Sequence, residues 1–280
     1  MATKGEGWIR PILRWAGSKR KLLPQLIASA PPRFERYIEP FLGSACFYLA
    51  LQPNKAVLGD INTELMEMYA VLREFPKQVA KIVHQMPSST SYYYRLRAKS
   101  PSDMQPLERA ARFVYLNRYC FNGVYRSNRK GQFNVPRGIN TGRIPTTAEF
   151  VECAAALSNA ELRPGDFESC LTDIREYDFI YLDPPYAMCS RLDHGEYGYN
   201  SFNEKDIDRL IYSLERADNK GAVILLSYAY TPLFKKALPN WYFRKISVRR
   251  NVAGFGHQRM YVTEILASNQ PLPRNINGKY

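Results

Sequence analysis

The chain has 280 residues, a hydrophobic content of 45% and a formal net charge of +13. This length suits one large domain, or one domain with a smaller domain inserted, and it allows a full core to be buried. No stretch approaches the roughly 18 uncharged apolar residues that a membrane span needs, and the N-terminal residues lack the apolar run of a secretory signal. We therefore expect a cytoplasmic protein with no membrane association and no obligate protein partner.

The positive charge is concentrated in two spans without acidic residues, 109–148 and 219–263, and each carries eight lysines and arginines. Such an excess favours a polyanionic partner, because binding to phosphates releases their counterions. Ordinary solvated faces are the alternative, although these usually mix both signs. An anionic membrane surface is a weaker alternative, because no amphipathic helix concentrates the charge. The pattern favours nucleic acid.

The cysteines give no sign of a disulfide framework or a metal site. They form no C-x-x-C pair and have no histidine at metal-ligand spacing. We expect reduced thiols that pack as small hydrophobic side chains, and no metal. The five are Cys46, Cys120, Cys153, Cys170 and Cys189.

Short apolar runs alternate with helical patterns along the chain. The N-terminal part predicts a strand at Arg36–Glu39, a helix through Phe47 and Leu51, a strand at residues 55–59 that ends at Asp60, and then a further helix. The C-terminal part predicts strands at residues 160–163, 178–182 and 222–227, a helix at 204–217, and a closing antiparallel pair at 241–248 and 260–267. Apolar strands that alternate with helices predict an α/β fold with a parallel, helix-covered sheet.

The middle of the chain differs from this alternation. Residues 73–145 show helical patterns and then a stretch rich in glycine, asparagine and arginine, with turn chemistry throughout. We interpret this segment as a smaller, mainly helical insertion. The expected division is a discontinuous catalytic domain at 1–72 plus 146–280, and an inserted domain at 73–145.

The strongest motif is Asp183-Pro184-Pro185-Tyr186, which follows an apolar strand. Ligands bind beyond the carboxyl ends of strands in open α/β sheets. Asp183 and the Pro184 carbonyl can both accept hydrogen bonds from one amino group, which localises its lone pair and lets the nitrogen attack an electrophilic methyl group. Tyr186 offers a ring on which an extruded base can stack. A proline-rich strand exit with a capping aspartate is the alternative.

A second motif, Glu39-Pro40-Phe41-Leu42-Gly43-Ser44, runs from a strand through a glycine turn into a helix. Such a turn lets the backbone approach a nucleotide-like ligand closely. Asp60 follows at the end of the next strand, where a carboxylate can hold ribose hydroxyls. Its alternative role is that of N-cap for the next helix.

Two weaker motifs fit the same pocket. Asp166 can accept from an adenine amino group while Phe167 packs on the ring, although an isolated Gly-Asp-Phe is more often a simple turn. Near the N-terminus, Lys19 follows a Gly17 loop and can clamp a carboxylate, with Trp15 packed on the ligand. A solvated loop lysine is the alternative for Lys19.

In this order the four motifs resemble the Dam-type DNA adenine N6-methyltransferases of the α group, over about residues 11–267. The resemblance implies a Rossmann-like methyltransferase sheet, S-adenosyl-methionine as cofactor with S-adenosyl-homocysteine as product, and double-stranded DNA as partner. Asp183, Pro184, Pro185 and Tyr186 would hold the target adenine. One departure is Ala45, where the family turn usually has a second glycine. The implied cofactor residues are Trp15, Gly17, Lys19, Glu39, Pro40, Phe41, Gly43, Asp60, Asp166, Phe167 and Asp183.

The inserted segment also resembles that family's target-recognition segment. Arg126 can read guanine in the major groove, and Phe121 with Asn122 can fill the stack that a flipped adenine leaves. Alternatively, Phe121 and Phe133 are core residues, and Asn122 and Asn128 are turn formers. The segments 200–202 and 249–251 resemble the family too. The implied DNA-binding residues are Arg118, Phe121, Asn122, Arg126, Asn128, Asn134, Pro136 and Arg137.

The sequence therefore predicts site-specific methyl transfer to adenine N6 in duplex DNA, with GATC as the leading recognition site. Transfer would be direct, because no cysteine or Ser–His pair is placed for nucleophilic catalysis. Two alternatives stay open: an adenine methyltransferase of another DNA site or of RNA, and a catalytically inactive DNA-binding relative.

Overall fold

The computed structural model describes residues 7–128, 131–185, 202–229, 232–251 and 259–273. The strands are β1 Arg36–Glu39, β2 Ala56–Asp60, β3 Ala160–Pro164, β4 Asp178–Leu182, β5 Val223–Ala229, β6 Tyr242–Asn251 and β7 Arg259–Ser268. The helices are α1 Leu23–Ser29, α2 Cys46–Leu51, α3 Thr63–Glu74, α4 Pro76–Gln85, α5 Thr90–Ala98, α6 Pro106–Tyr119, α7 Thr147–Leu157, α8 Glu204–Asn219 and α9 Pro232–Ala237. Short 3₁₀ turns occupy Lys19–Leu22, Pro101–Asp103, Phe121–Gly123 and Phe167–Leu171.

These strands form one sheet in the order β3-β2-β1-β4-β5-β7-β6. The first five strands are parallel, whereas β7 runs antiparallel to both β5 and β6. Strand β4 is buried at every position, as expected for a central parallel strand that is covered on both faces. The predicted α/β fold with a parallel sheet and a closing antiparallel pair is confirmed.

Alternate residues of the central strands enter two different cores. Tyr37 of β1 and Phe179 of β4 pack with the helices that include α2, α3 and α6. Ile38 and Ile180, their neighbours in sequence, pack on the opposite face with α8 and α9. Since successive side chains of a strand point to opposite faces, both faces of the sheet are covered by helices.

The strand order reverses between β1 and β4, which are hydrogen-bonded neighbours. From this switch point the chain proceeds to β2 and β3 on one side and to β5 on the other. An ion-pair cluster joins the two strands at their starts, where Arg36 donates to Asp178 at 2.7 and 3.1 Å and to Asp173 at 2.9 Å. Open α/β sheets bind ligands at the opposite, carboxyl ends of such strands, which is where Glu39 and Asp183 lie.

The inserted segment is not packed as one unit. Side chains of α4 and the first half of α6 lie in the same core as α3. A separate small core joins α5, the second half of α6 and the following loops through Tyr93, Leu96, Tyr115, Leu116, Cys120, Phe133 and Val135. The division at residues 73 and 145 stays a prediction, and shared packing links the two proposed parts.

No helix in the described ranges is long and apolar enough to cross a membrane. The cysteines within those ranges, Cys46, Cys120, Cys153 and Cys170, are free and buried, which confirms the expectation for them; Cys189 lies outside. The described residues also hold no group of three or more potential metal ligands.

Candidate active site

Asp183 lies at the switch point, directly after β4. Its carboxylate accepts from Lys19 Nζ at 2.6 Å on Oδ1 and 2.9 Å on Oδ2, and from Ser227 Oγ at 2.9 Å. Only 20% of its side-chain surface is exposed. Burial raises the pKa of Asp183, while Lys19 and Ser227 oppose that rise. The carboxylate is thus held in one orientation at the carboxyl end of β4.

Lys19 is a buried residue of this site, so the alternative of a solvated loop lysine is wrong. The preceding chain turns at Trp15–Ser18, where Ser18 N–H donates to the Trp15 carbonyl at 3.1 Å and Gly17 has a φ of +78°, as a glycine allows. Lys19 Nζ donates to the Gly17 carbonyl at 3.1 Å and lies 3.9 Å from the buried Glu264. The turn and the two carboxylates leave this lysine 6% exposed.

Glu39 is the other acid at the switch point. It is 3% exposed and accepts a hydrogen bond from Tyr37 Oη at 2.8 Å. Burial raises the pKa of Glu39 well above its usual value, and the neighbouring charges of Asp183 and Asp60 add to the rise. A buried acid without a matching cation costs stability when it ionises, which is typical of functional sites.

Glu39→Gln should therefore stabilise the protein at alkaline pH. The folded-state pKa of this acid lies above the unfolded one, so its ionisation lowers stability as pH rises between the two values. Each unit of difference corresponds to about 1.4 kcal/mol. Chemical denaturation should show the variant more stable than wild type at pH 8, with the gap shrinking towards pH 5. Exposed Glu215→Gln is the matched control, and an equal gap at both pH values would contradict the prediction.

The turn after β1 is held tightly against the N-terminal loop. Gly43 has a φ of +48°, and a Cβ there would lie 2.9 Å from Trp15 Cδ1 and Nε1. Ala45 also has a left-handed backbone, with φ +56°. The backbone geometry that a second glycine would provide is thus kept by alanine, at a cost of roughly 1–2 kcal/mol.

Asp60, at the end of β2, binds the same turn. Its Oδ2 accepts from Gly43 N–H and its Oδ1 from Asn62 N–H, both at 2.9 Å. The alternative of Asp60 as the helix N-cap is wrong, because Asn62 caps α3 by accepting from Leu65 N–H at 3.0 Å. Each Asp60 oxygen has a lone pair left for a ligand hydroxyl.

Asp166 and Phe167 lie beside Phe41. Phe167 is buried and stacks on Phe41 at 5.6 Å between ring centroids. Asp166 caps the following 3₁₀ turn through Glu168 N–H at 3.0 Å and pairs with Arg209 at 2.7 Å, and both contacts use Oδ1. Asp166 therefore has the role of a simple turn residue. Phe167 is buried against Phe41, whereas a ring that accepts a stacked ligand would have an exposed face.

The predicted recognition residues lie partly on an irregular hairpin. Ser127 pairs with Phe133 in an antiparallel bridge. Asn128 Oδ1 accepts from Gln132 N–H at 3.0 Å, which makes Asn128 a turn former, and Phe133 is a core residue. Arg126 Nε donates to Asn134 Oδ1 at 3.3 Å, so the two side chains lie together on this hairpin.

Phe121 and Asn122, a second group of predicted recognition residues, follow α6 directly. Asn122 is exposed with a φ of +52°, a conformation that asparagine tolerates, and Phe121 is partly buried beside it. Phe121 N–H donates to the Pro136 carbonyl at 2.9 Å. Arg137 donates to the Ser88 carbonyl at 3.0 Å. The turn therefore exposes Asn122, and the adjacent backbone is fixed by the hydrogen bond from Phe121 to Pro136.

Several arginines of the first acid-free span already have internal partners. Arg109 pairs with Glu67, Arg143 pairs with Glu149, and Arg112 is buried against the carbonyls of Leu96 and Arg97. Arg118 donates to the Arg143 carbonyl, and burial together with Arg14 and Arg143 lowers the pKa of Arg118 to about 10. The net charge alone therefore overstates how much of this span is available to phosphates.

Some sequence predictions fall outside the described residues. These are Tyr186 and Asn200, together with the side chains of Arg249, Arg250 and Asn251. Phe202, from the same resemblance, is buried at 5.9 Å from the Phe41 ring centroid.

The structure also adds residues that sequence reasoning missed. Ser227 and Glu264 come from β5 and β7, where they stood inside apolar strand patterns without a motif. Ile61, next to Asp60, is 70% exposed at the carboxyl end of β2. Its apolar side chain is therefore available for packing against an aromatic ring of a ligand. A polar residue within a buried strand was the only signal that could have pointed to Ser227 and Glu264.

The sheet order and its switch point define a doubly wound, Rossmann-like α/β fold with buried acidic side chains at the switch point. The sequence-family model of the D12 class N6 adenine-specific DNA methyltransferases matches residues 15–253. The chain belongs to this family. The expected enzyme class, an adenine-specific DNA methyltransferase, is confirmed.

Curated relatives are similar over nearly their whole length. Type II methyltransferase M1.LlaDCHI of Lactococcus lactis subsp. cremoris is 33% identical over 271 residues, covering 93% of this chain and 95% of the relative. Type II methyltransferase M.MjaIII of Methanocaldococcus jannaschii is 30% identical over 278 residues, covering 90% and 95%. DNA adenine methylase of Escherichia coli K12 is 29% identical over 271 residues, covering 94% and 96%.

Proposed function

We propose that the protein transfers a methyl group from S-adenosyl-methionine to N6 of an adenine flipped out of duplex DNA, with GATC as the leading recognition site. The observation that carries the proposal is the Asp183 carboxylate, fixed by Lys19 and Ser227 at the switch point of the sheet. Family membership supports the substrate class, because the matching family is that of the N6 adenine-specific DNA methyltransferases.

The crevice suits a cationic nucleoside as methyl donor. Glu39, Asp60, Asp183 and Glu264 supply four carboxyl groups around it, and a sulfonium with an ammonium group complements them. Asp60 retains acceptor capacity for ribose hydroxyls, and the Gly43 turn lies against Trp15 where a Cβ would not fit. When bound, S-adenosyl-methionine supplies the electrophilic methyl group.

The remaining cofactor residues have distinct proposed roles. Trp15, Gly17, Pro40 and Phe41 line the donor, and Asp166 with Phe167 holds its adenine. Lys19 is proposed to meet the donor carboxylate, and it can do so only by sharing or leaving its contact with Asp183. Donor binding and the freedom of Asp183 to accept a new hydrogen bond would then be linked.

Asp183 and the Pro184 carbonyl would each accept a hydrogen bond from the target amino group. Two acceptors on one nitrogen withdraw its lone pair from the ring and direct it at the methyl carbon. Pro185 stiffens the extended backbone, and Tyr186 stacks on the flipped base. Flipping is required because N6 of a paired adenine cannot enter a pocket.

The DNA-facing residues would divide into readers and anchors. Arg126, oriented by Asn134, reads a guanine, while Phe121 and Asn122 fill the vacated stack. Arg118, Asn128, Pro136 and Arg137 would set the position of this surface and its phosphate contacts.

Arg126→Ala should relax discrimination at one base pair by about 1–3 kcal/mol. The guanidinium is the only group on this side chain that can make a bidentate contact, so discrimination elsewhere in the site should persist. Single-turnover rates on substrates with one changed base pair would measure this. Arg95→Ala is the control, because Arg95 is exposed on α5. Its methylation rate should fall slightly and by the same factor on all substrates. Unchanged discrimination in Arg126→Ala would remove that residue from base readout.

The function is tested by two experiments together. Transfer of labelled methyl from S-adenosyl-methionine should occur to duplex DNA and give N6-methyladenine, with less on single strands and RNA. Methylation-sensitive sequencing of DNA from cells that express the protein then defines the site. Preference for RNA, another DNA motif, or DNA binding without transfer would each favour one of the alternatives to GATC methylation.

A further inference from the structure

Trp15 lies between the Gly43 turn, where the methyl donor is proposed to bind, and the proposed recognition segment. Its indole stacks on Tyr125 at 6.1 Å between centroids and 13° between planes, and on Phe113 at 6.5 Å and 19°. Phe113 and Tyr125 stack on each other at 4.4 Å. Through Cδ1 and Nε1 the same indole approaches the Gly43 turn so closely that no Cβ fits there. One side chain therefore contacts both parts of the proposed site.

The backbone beside Trp15 is fixed to α6. Asn117, fully buried on that helix, accepts from Arg14 N–H at 2.8 Å through Oδ1 and donates through Nδ2 to the Arg14 carbonyl at 2.6 Å. The last turns of α6 lead directly to Phe121 and Asn122. A shift of that helix or its following turn must therefore also move the backbone next to Trp15.

Tyr125 supplies a second connection. Its hydroxyl donates to Glu64, on the first turn of α3, which begins just after Asp60. Burial and the Glu64 charge raise the pKa of Tyr125 well above its usual value, so the hydroxyl stays a donor. Tyr125 is only one residue before Arg126 in the recognition hairpin. Tyr125 is thus connected to the Gly43 turn through Trp15 and to the start of α3 through Glu64.

We infer that the Trp15–Tyr125 stack couples binding of the methyl donor to recognition of DNA, with Tyr125 as a positioning residue. The inference rests on the proposed donor site at the Gly43 turn. Donor bound at that turn restricts Trp15, which in turn restricts Tyr125 and the neighbouring reader Arg126. Such coupling is reciprocal: DNA must raise donor affinity by the same factor as donor raises DNA affinity.

Calorimetry with S-adenosyl-homocysteine tests the coupling. Its Kd is measured on the free protein and on protein saturated with a duplex containing the mapped site. We expect wild type to bind at least about 5-fold tighter with DNA. In Tyr125→Ala the ratio should fall close to one. Tyr125→Phe keeps the ring but loses the bond to Glu64, and it should keep most of the ratio. Exposed Tyr212→Ala, on α8, is the control with the wild-type ratio.

The ratio separates coupling from a merely structural role. If Tyr125→Ala weakens both ligands but keeps the wild-type ratio, or if wild type itself shows a ratio of one, the inference is overturned while the proposed function stands. If wild type binds no S-adenosyl-homocysteine at all, the proposed function fails instead. Should Tyr125→Ala not fold, Trp15→Phe, which reduces the stacked area, should lower the ratio; an unchanged ratio there also overturns the inference.

Discussion

Asp183→Ala should lower kcat for methyl transfer by at least about 10²–10³-fold, the loss typical when one polarising hydrogen-bond partner is removed from an active site. In the proposed mechanism the carboxylate accepts a hydrogen bond from the amino group, and an alanine leaves Pro184 as the single acceptor from this segment. DNA binding should stay measurable, because the proposed recognition residues lie on α6 and the hairpin after it. Single-turnover rates and a DNA-binding titration provide the two measurements.

Two matched variants make this test specific. Asp183→Asn keeps one acceptor oxygen but loses the charge, so its rate should fall between wild type and alanine. Ser227→Ala keeps the carboxylate and removes only its 2.9 Å hydrogen bond, so its loss should be smaller still. Full activity of Asp183→Ala would refute the assigned role, whereas equal losses in all three would indicate general damage to the fold, which thermal melting would reveal.

Lys19→Met should destabilise the protein by about 3 kcal/mol, which lowers Tm by roughly 6–12 °C in a chain of this size. Lys19 lies 2.6 Å from Asp183 and 3.9 Å from Glu264, and its loss removes a positive charge from beside two largely buried carboxylates. The estimate lies at the low end for a broken buried pair, because a fifth of the Asp183 side chain reaches solvent.

The effect of Lys19→Met should also depend on pH. Burial already raises the pKa of Asp183, and removal of the lysine charge raises it further. An acid with a raised folded-state pKa loses stability as pH increases from its unfolded to its folded value, so the variant should lose more at pH 8 than at pH 5. Exposed Lys21→Met, on the same 3₁₀ turn, should change Tm little. A double-mutant cycle with Asp183→Asn measures the pair directly, and additive effects would argue against the coupling.

Local signals in the sequence predicted the sheet well. The strands at Arg36–Glu39 and Asp178–Leu182 have the predicted bounds, because a short apolar run between turn residues is enough to specify a buried strand. Asp60 and Asp183 were recognisable for the same reason, since each directly follows such a strand. The alternative role of Asp60 as the cap of α3 was wrong by two residues, because Asp60 and Asn62 are both good capping residues and only their contacts distinguish them.

Burial and long-range pairing were not predictable in this way. Lys19 has the sequence context of a solvated loop lysine, and its partner Asp183 is 164 positions away. The clamp between Arg14 and Asn117 spans 103 positions and has no local signature. Likewise, the acid-free span 109–148 favoured a nucleic-acid partner through its excess of positive charge. Arg109 and Arg143 of this span are nevertheless paired with acids outside it, Glu67 and Glu149.

The sequence by itself determined the element types, the motif order and the family resemblance, because hydrophobic period, turn chemistry and short motifs are written over neighbouring residues. Only the tertiary structure decided which charges meet, how Lys19 is shared between Asp183 and Glu264, and that Trp15 contacts both the Gly43 turn and Tyr125. The physical reason is that these contacts form between strand ends and helices distant in the chain. Their partners are selected by the packing of the sheet and its helices, not by local sequence.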